Sequence, residues 1–504
     1  MSPLQPLSPP STVLASAPFG AAVRLACAAL LAALSVGCTT VGPDYKRPAA
    51  TLPSAWRAPQ VDAADIVNTT WWEAFGDPDL TRLVGQAIDA NKDLLIASYR
   101  VEQLAAKLDV SRAEGSPRVG YNATRERVRR SEEQPALLAF GREPSYNNYA
   151  VNLTLSWEID IWGRLARANE SARAEMLSSE EARRAVMLNV VTGVADLYVQ
   201  LLSLDRQLDL ARQSLANRQA AAALLDARFK GGSATLIDAT RAQALVDELQ
   251  ATLPPIERDI ALAENALTAL LGQNPGPVAR RSIDALKLPP VPQGIPSDVL
   301  DRRPDVVAAE QTLIAANARI GVAKGQYFPT ISLTSALGLG SDQLRWLMSR
   351  TARTGELGAS LMGTLFDGGR IDGDVRAAEA ERKQMAETYL KAIQNALREV
   401  DDALVSRSRS AEQVAALGQR LKTLEEVLRL VRQRFEGGQS TRTDVLEAER
   451  QVLNARDAQA QGVRDQYAAV VAIYKAMGGG WMAEQDRTRS TQPVAKNSEP
   501  EIRP

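Results

Sequence analysis

The chain has 504 residues, a formal net charge of -1, 59 basic against 60 acidic side chains and only 5% aromatics, so it carries no basic footprint for nucleic acid. It contains no histidine, and its two cysteines, Cys27 and Cys38, both fall in an N-terminal apolar stretch. That argues against a disulfide framework, a cysteine–histidine metal site and histidine-based acid–base catalysis, so neither an enzyme nor a resident cofactor is expected.

Arg24 precedes an apolar run from Leu25 to Val36, and Gly37-Cys38 follows. A cationic flank, a short apolar core and small residues before a cysteine read as an export signal over 1–37, with lipoprotein cleavage leaving Cys38 to carry a covalent lipid. The run is too short to span a bilayer. A long uncharged leader before Arg24, and Ser35 where lipoprotein signals carry leucine, leave a plain signal cleaved elsewhere as the alternative. Residues 38–76 read as a lipid-anchored tether, extended and rich in proline and alanine over 39–70. Asp77-Pro78 then opens a helix reaching about Arg112, with Leu94, Val101, Leu104 and Leu108 on one face.

Strands follow over about 118–160. Val151, Leu153, Leu155, Trp157 and Ile159 alternate with Asn152, Thr154, Ser156 and Glu158; 118–127 alternates more weakly. Gly163-Arg164 closes the extended stretch and opens a long helix, to about Phe229, without proline. Val190, Val194, Leu197, Leu201, Leu204, Leu208, Ala211 and Leu215 recur there every 3.5 residues on average, the period of coiled-coil packing. Such a helix, roughly 60 residues long, measures on the order of 90 Å. It stops at Gly231-Gly232, and a second helix returns over about 235–271.

After a proline-rich linker, 273–301, the same order begins again over 302–480. Gly369-Arg370 repeats Gly163-Arg164, Gly437-Gly438 repeats Gly231-Gly232 and Asp444 repeats Asp238, each pair 206 residues apart. Upstream, Asn91-Lys92-Asp93-Leu94 matches Arg303-Pro304-Asp305-Val306 at a spacing of 212. The chain is therefore an internal duplication, and the first copy, 77–272, holds a six-residue insertion in its strand region, the mark of a surface loop. The second copy predicts a hairpin over about 330–366, its strands at 330–339 and 357–366, then a long helix with Val414, Leu417, Leu421, Leu424, Leu428, Val431 and Phe435 on one seam. A helix returns over about 441–477, and the polar tail 481–504 reads as disordered.

Four strands of about ten residues, apolar on one side, match membrane-barrel strands, although an ordinary antiparallel sheet has the same alternation. Four strands cannot close, and an open edge is not tolerated in lipid, so several chains would share one barrel. Two, three or four chains give eight, twelve or sixteen strands, and a conducting pore favours three or more.

The chain resembles the TolC-like outer-membrane factor family in its lipoprotein branch, the channels of RND tripartite efflux systems. Gly37-Cys38, Val41-Gly42-Pro43-Asp44-Tyr45, Trp71-Trp72 and Trp157 to Arg164 carry the resemblance, as do Ile320 to Lys324, Phe366-Asp367-Gly368-Gly369-Arg370 and Tyr474 to Trp481. It implies a mainly α-helical fold with a transmembrane β part, in which four strands per chain join a trimeric twelve-stranded barrel and helical hairpins form a periplasmic tunnel. It also implies lipid anchoring in the outer membrane, docking to a periplasmic adaptor and an inner-membrane RND-type transporter, and passive export of drugs or other small molecules. A duct for peptide or protein secretion and a non-channel coiled-coil scaffold are the alternatives. The glycine turns 231–232 and 437–438 would be the periplasmic tips. By the same resemblance Asp444, Glu447 and Asp238 would form an acidic mouth, with Arg432, Arg434 and Arg442 as candidate partners; Phe435 stands where relatives often carry a tyrosine. The competing reading of these acids is helix capping. Arg125, Arg127, Arg129 and Arg130 cluster near the first outer loop, facing either lipid phosphates or solvent.

Overall fold

The computed structural model describes residues 40–57, 63–64, 70–129, 131, 145–292, 296 and 298–479. The export-signal reading, Cys38, Arg130 and the tail 481–504 lie outside the described residues. In chain order the first copy comprises α1 (Pro78–Ala90), α2 (Lys92–Glu114), β1 (Arg118–Arg129), β2 (Ser145–Ile159), α3 (Arg164–Lys230) and α4 (Leu236–Leu270). The second comprises α5 (Asp298–Arg302), α6 (Pro304–Gly325), β3 (Thr330–Ser341), β4 (Arg353–Met362), α7 (Arg370–Glu436) and α8 (Arg442–Ala476). Helices α3 and α7 each hold 67 residues, and α4 and α8 each hold 35, so the duplication is conserved to the residue in its helical hairpins.

The chain divides into two compact units. One, Met1–Pro43 with Ser111–Asn169 and Ala318–Arg376, holds the sheet. Its four strands are antiparallel in the order β1-β2-β3-β4, and the central pairing, Val151 opposite Leu339 and Trp157 opposite Leu333, joins the two copies. The fourth strand begins and ends four residues earlier than its expected range of 357–366. Glycines at 355, 358 and 363 blur the alternation there, and the hydrogen-bonded register, not side-chain period, sets its limits.

The other unit, Asp44–Val110 with Glu170–Asn317 and Ala377–Pro504, holds the main apolar core. The 3.5-residue seam of α3 supplies Val190, Val194, Leu201 and Leu208 to it. Trp71, Trp72 and Phe75 complete it from a short 3-10 helix, with Trp71 stacked on Tyr474 at 4.8 Å and 12°. These three belong to the core even though they lie within the expected tether, because burying aromatic surface outweighs the disorder that composition alone suggests. Residues 44–57 are held as well. Arg47 Nε and Nη2 each donate to the Glu310 carboxylate at 2.7 Å, and Tyr45 Oη donates to it at 2.9 Å.

The single helix expected over 77–112 is two, broken at Asn91. Asn91 leaves helical geometry, its Oδ1 accepts from the Leu94 amide at 3.0 Å, and its Nδ2 donates to the Leu270 carbonyl at 2.9 Å. The same break falls at Arg303 in the second copy, where Pro304 opens α6.

Candidate functional site

The sheet has two chemically distinct sides. Odd-numbered strand residues share one side, because opposite partners in an antiparallel ladder point the same way: Tyr121 with Leu153, Leu153 with Leu337, Leu337 with Gly355. That side carries Val119, Leu155, Leu333, Leu339, Leu357 and Leu361, and much of it is open, with Tyr121 86%, Leu337 62% and Leu357 85% exposed. The even side carries Asn122, Thr124, Asn152, Thr154, Thr334 and Ser360, with Asn152 Nδ2 donating to Asn122 Oδ1 at 3.2 Å. An exposed apolar side backed by a polar side suits a wall between hydrocarbon and water.

Each junction from strand to long helix is built from a glycine at positive φ and an aspartate that caps the helix. Gly163 has φ 74° and Gly369 has φ 88°. Asp160 Oδ2 accepts from the Ala166 amide at 2.8 Å, while Asp367 accepts from the amides of Gly369 at 2.9 Å and Ile371 at 2.8 Å. These amide bonds hold the Asp367 carboxyl below its ordinary pKa. Arg164 pairs with Glu158 at 2.8 Å, and Arg370 with Asp374 at 3.1 Å. The two glycines differ in surroundings. A Cβ on Gly163 would lie 2.6 Å from Thr40 Cγ2, whereas one on Gly369 meets nothing within 4 Å. Gly369→Ala should therefore cost about 1–2 kcal/mol from backbone strain, and Gly163→Ala measurably more. Urea unfolding of the two variants checks this, and equal losses would contradict it.

The tips of the hairpins repeat each other closely. The glycine with φ 75° at 232 and its counterpart with φ 71° at 438 turn the chain, while Gly231 and Gly437 keep ordinary φ. Amides of Ser233 and Gln439 donate back to the carbonyls of Arg228 at 2.8 Å and Arg434 at 2.7 Å, satisfying the ends of α3 and α7. Capping boxes then open the return helices. Asp238 Nα donates to Thr235 Oγ1 and Asp444 Nα to Thr441 Oγ1, both at 3.2 Å, and each carboxylate accepts in return from its threonine. Threonine three residues before an acid is the sequence signature of this box, and sequence reasoning passed over Thr235 and Thr441. The bonds from Thr441 and Thr235 hold the Asp444 and Asp238 carboxyls below their ordinary pKa.

Glu447 is held differently. Arg450 binds it through two nitrogens at 2.9 and 2.7 Å and Gln451 through its amide at 3.0 Å, and these bonds pull its pKa down to about 2. Of the candidate partners, Arg432 pairs with Glu449 at 2.9 Å, and the Arg442 guanidinium lies 5.8 Å from the Phe435 ring centroid. The charge of Arg434 also lowers Asp444. Between the two hairpin tips lies a cleft of about 710 Å³ that brings Asp238 and Glu447 together with Arg442, Arg450 and Phe435. Asp444 does not line it. Arg218, nearly buried on α3, crosses to the other hairpin and donates to the Leu446 carbonyl at 3.2 Å.

Comparison with known proteins agrees with this anatomy. Residues 83–273 and 295–479 match the family described as Outer membrane efflux protein. The outer membrane protein OprJ of Pseudomonas aeruginosa is 34% identical over 460 residues, covering 90% of this chain and 95% of that protein. The pyoverdine export outer membrane protein OpmQ of Pseudomonas putida is 33% identical over 437 residues, covering 86% and 93%. A crystal structure of a membrane protein from Pseudomonas aeruginosa superposes with a TM-score of 0.80 at 33% identity, covering 87% of this chain and 100% of that one. With a matching sequence over most of its length, a matching fold and a sheet polar on one side and apolar on the other, the chain belongs to the outer membrane efflux protein family, as a TolC-like efflux channel of the outer membrane.

Proposed function

We propose that three copies of this chain form the exit duct of a tripartite efflux pump, passing small molecules from an inner-membrane RND-type transporter and a periplasmic adaptor to the exterior. The observation that supports this most directly is the four-stranded sheet. Its outer strands, β1 and β4, each pair on one side only among the described residues, and its apolar side is exposed. Such edges are untenable in lipid unless a neighbouring copy continues the ladder, and three copies close twelve strands around a water-filled lumen. Cys38 would carry the lipid, and the cleft between the tips offers the adaptor a surface of mixed charge. Relatives named for pyoverdine export and for cation efflux suggest that the transporter, not the duct, selects the cargo. Light scattering in mild detergent should give a trimer mass, and the same preparation should conduct in planar bilayers. A conducting monomer would overturn the proposal.

The acidic mouth belongs to the same reading. Asp444 and Asp238 have a capping role whatever else they do, so alanine variants would confound charge with helix stability. Asp444→Asn with Glu447→Gln keeps one acceptor oxygen at each position and removes the charge. We expect this pair to lower cation selectivity several-fold and to weaken block by multivalent cations, since rings of carboxylates favour cations. The pH dependence has a definite sign. A carboxylate whose pKa is lowered to about 2 stays ionised as pH falls, so the Glu447 contribution to selectivity should survive at pH 4 and fade only near pH 2. Selectivity unchanged in the double variant would return these acids to the role of helix-terminus charges.

A further inference from the structure

The charged residues on the odd-numbered side of the sheet gather toward one end of the strands. Along β1 the sequence Val119, Tyr121, Ala123 continues on the same side as Arg125, Arg127 and Arg129. Arg353, the first residue of β4, also lies on this side, opposite Leu339. All four are exposed, and all four lie toward the ends of the strands that carry the hairpin loops. Among the described strand residues this side holds no acid; Glu126, Glu158 and Glu356 sit on the even side. Arg125 is steadied by the Tyr149 ring, its guanidinium 5.9 Å from the centroid. Arg127, Arg129 and Arg353 have no carboxylate partner among the described residues.

Arginine on a lipid-facing side is expensive at the middle of a membrane and nearly free at its interface. The register sets Arg125, Arg127 and Arg129 beyond the apolar band, where headgroups lie, and Arg353 in the row of Leu339, Val151 and Ala123, one same-side step below Arg125, with Leu153 and Leu337 in the row beneath. Guanidinium groups bind phosphate through two parallel N–H bonds. We propose that Arg125, Arg127, Arg129 and Arg353 form a docking rim for the phosphorylated headgroup of an outer-leaflet membrane lipid, whose acyl chains lie along Tyr121, Leu153 and Leu337. This rests on the reading of the sheet as part of a closed barrel, in which β4 of one copy lies beside β1 of the next and so brings Arg353 to the same rim as the β1 arginines.

The test is native mass spectrometry of the detergent-purified full chain, offered lipid A as the doubly phosphorylated probe, phosphatidylcholine as the zwitterionic control and inorganic phosphate as competitor. The wild type should retain lipid A and not phosphatidylcholine. Arg125→Gln/Arg127→Gln/Arg129→Gln should retain about tenfold less, since each cation near an anionic surface adds to the attraction. The corresponding triple lysine variant should fall between, keeping charge without the planar fork. Inorganic phosphate at the lipid concentration should displace nothing. Equal retention by the glutamine variant, or equal retention of phosphatidylcholine, would overturn the rim, and displacement by inorganic phosphate would make it a plain anion site. Planar-bilayer conductance of the same samples separates the two readings. A conducting wild type that retains no lipid A sinks the rim alone, and a wild type that never conducts sinks the barrel and the rim with it.

Discussion

Leu337→Arg is expected to abolish assembly in the outer membrane, whereas Thr154→Arg should leave assembly intact and change only conductance. Leu337 lies well inside β3, between Leu153 and Gly355 on the apolar side. A guanidinium there enters hydrocarbon, at roughly 2–4 kcal/mol per copy near the midplane. In a trimer the penalty recurs three times within one cooperative structure, which is comparable to the whole stability margin of a folded protein. Thr154 lies on the polar side between Gly120, which has no side chain, and the small Ala336, which leaves room for a long side chain. Its arginine would stand in the lumen, solvated, where added positive charge lowers cation flux. Membrane fractionation and single-channel recording of both variants check the assignment. Normal insertion of Leu337→Arg with loss of Thr154→Arg would mean that the sides are reversed.

Arg303→Ala should lower unfolding free energy by about 2–4 kcal/mol. Arg303 is nearly buried between α5 and α6, and each of its three nitrogens donates. Nε and Nη2 hold both oxygens of Asp305 at 2.9 and 2.6 Å, Nη2 also reaches Glu399 on α7 at 2.8 Å, and Nη1 donates to the Ala476 carbonyl at the end of α8 at 3.0 Å. Removing it leaves that carbonyl without its donor and opens a cavity where three helices meet. The carboxylates of Asp305 and Glu399 are partly exposed and can turn to water, which keeps the loss below that of a wholly buried ion pair. Arg303→Lys should recover less than half, because one ammonium cannot span the three acceptors. Thermal unfolding of the full chain reads the difference, and a change within 0.5 kcal/mol for Arg303→Ala would show the network to be dispensable.

Much of the helical part was legible because its signals are local and repeated. Absence of proline over 165–229, a 3.5-residue seam and a glycine pair at each tip mark where α3 and α7 run and stop, and the 206-residue spacing checks one copy against the other. The alternation of Val151 to Ile159 marks β2 for the same reason. The break at Asn91 was less visible, because asparagine is compatible with helix until its amide finds the Leu270 carbonyl, 179 residues away. Pro304 in the second copy was its signal. By sequence the acids at the tips fit a mouth or caps; Asp238 and Asp444 do cap their helices, which is compatible with either role because a capping carboxylate keeps its charge.

Chain-local chemistry thus determined the duplication, the four strands and two hairpins, the glycine junctions and the polarity of each strand face, since period, turn residues and spacing act within a few residues. Tertiary structure decided which distant groups meet. It drew Trp71, Trp72 and Phe75 out of the expected tether into the core, pinned Arg47 to Glu310, set Thr40 against Gly163, and placed Asp238 rather than Asp444 in the cleft with Glu447. It also put Arg353 on the same side of the sheet as the β1 arginines. These pairings depend on hydrogen-bond register and on close packing between segments far apart in sequence, and no pattern within one segment specifies them.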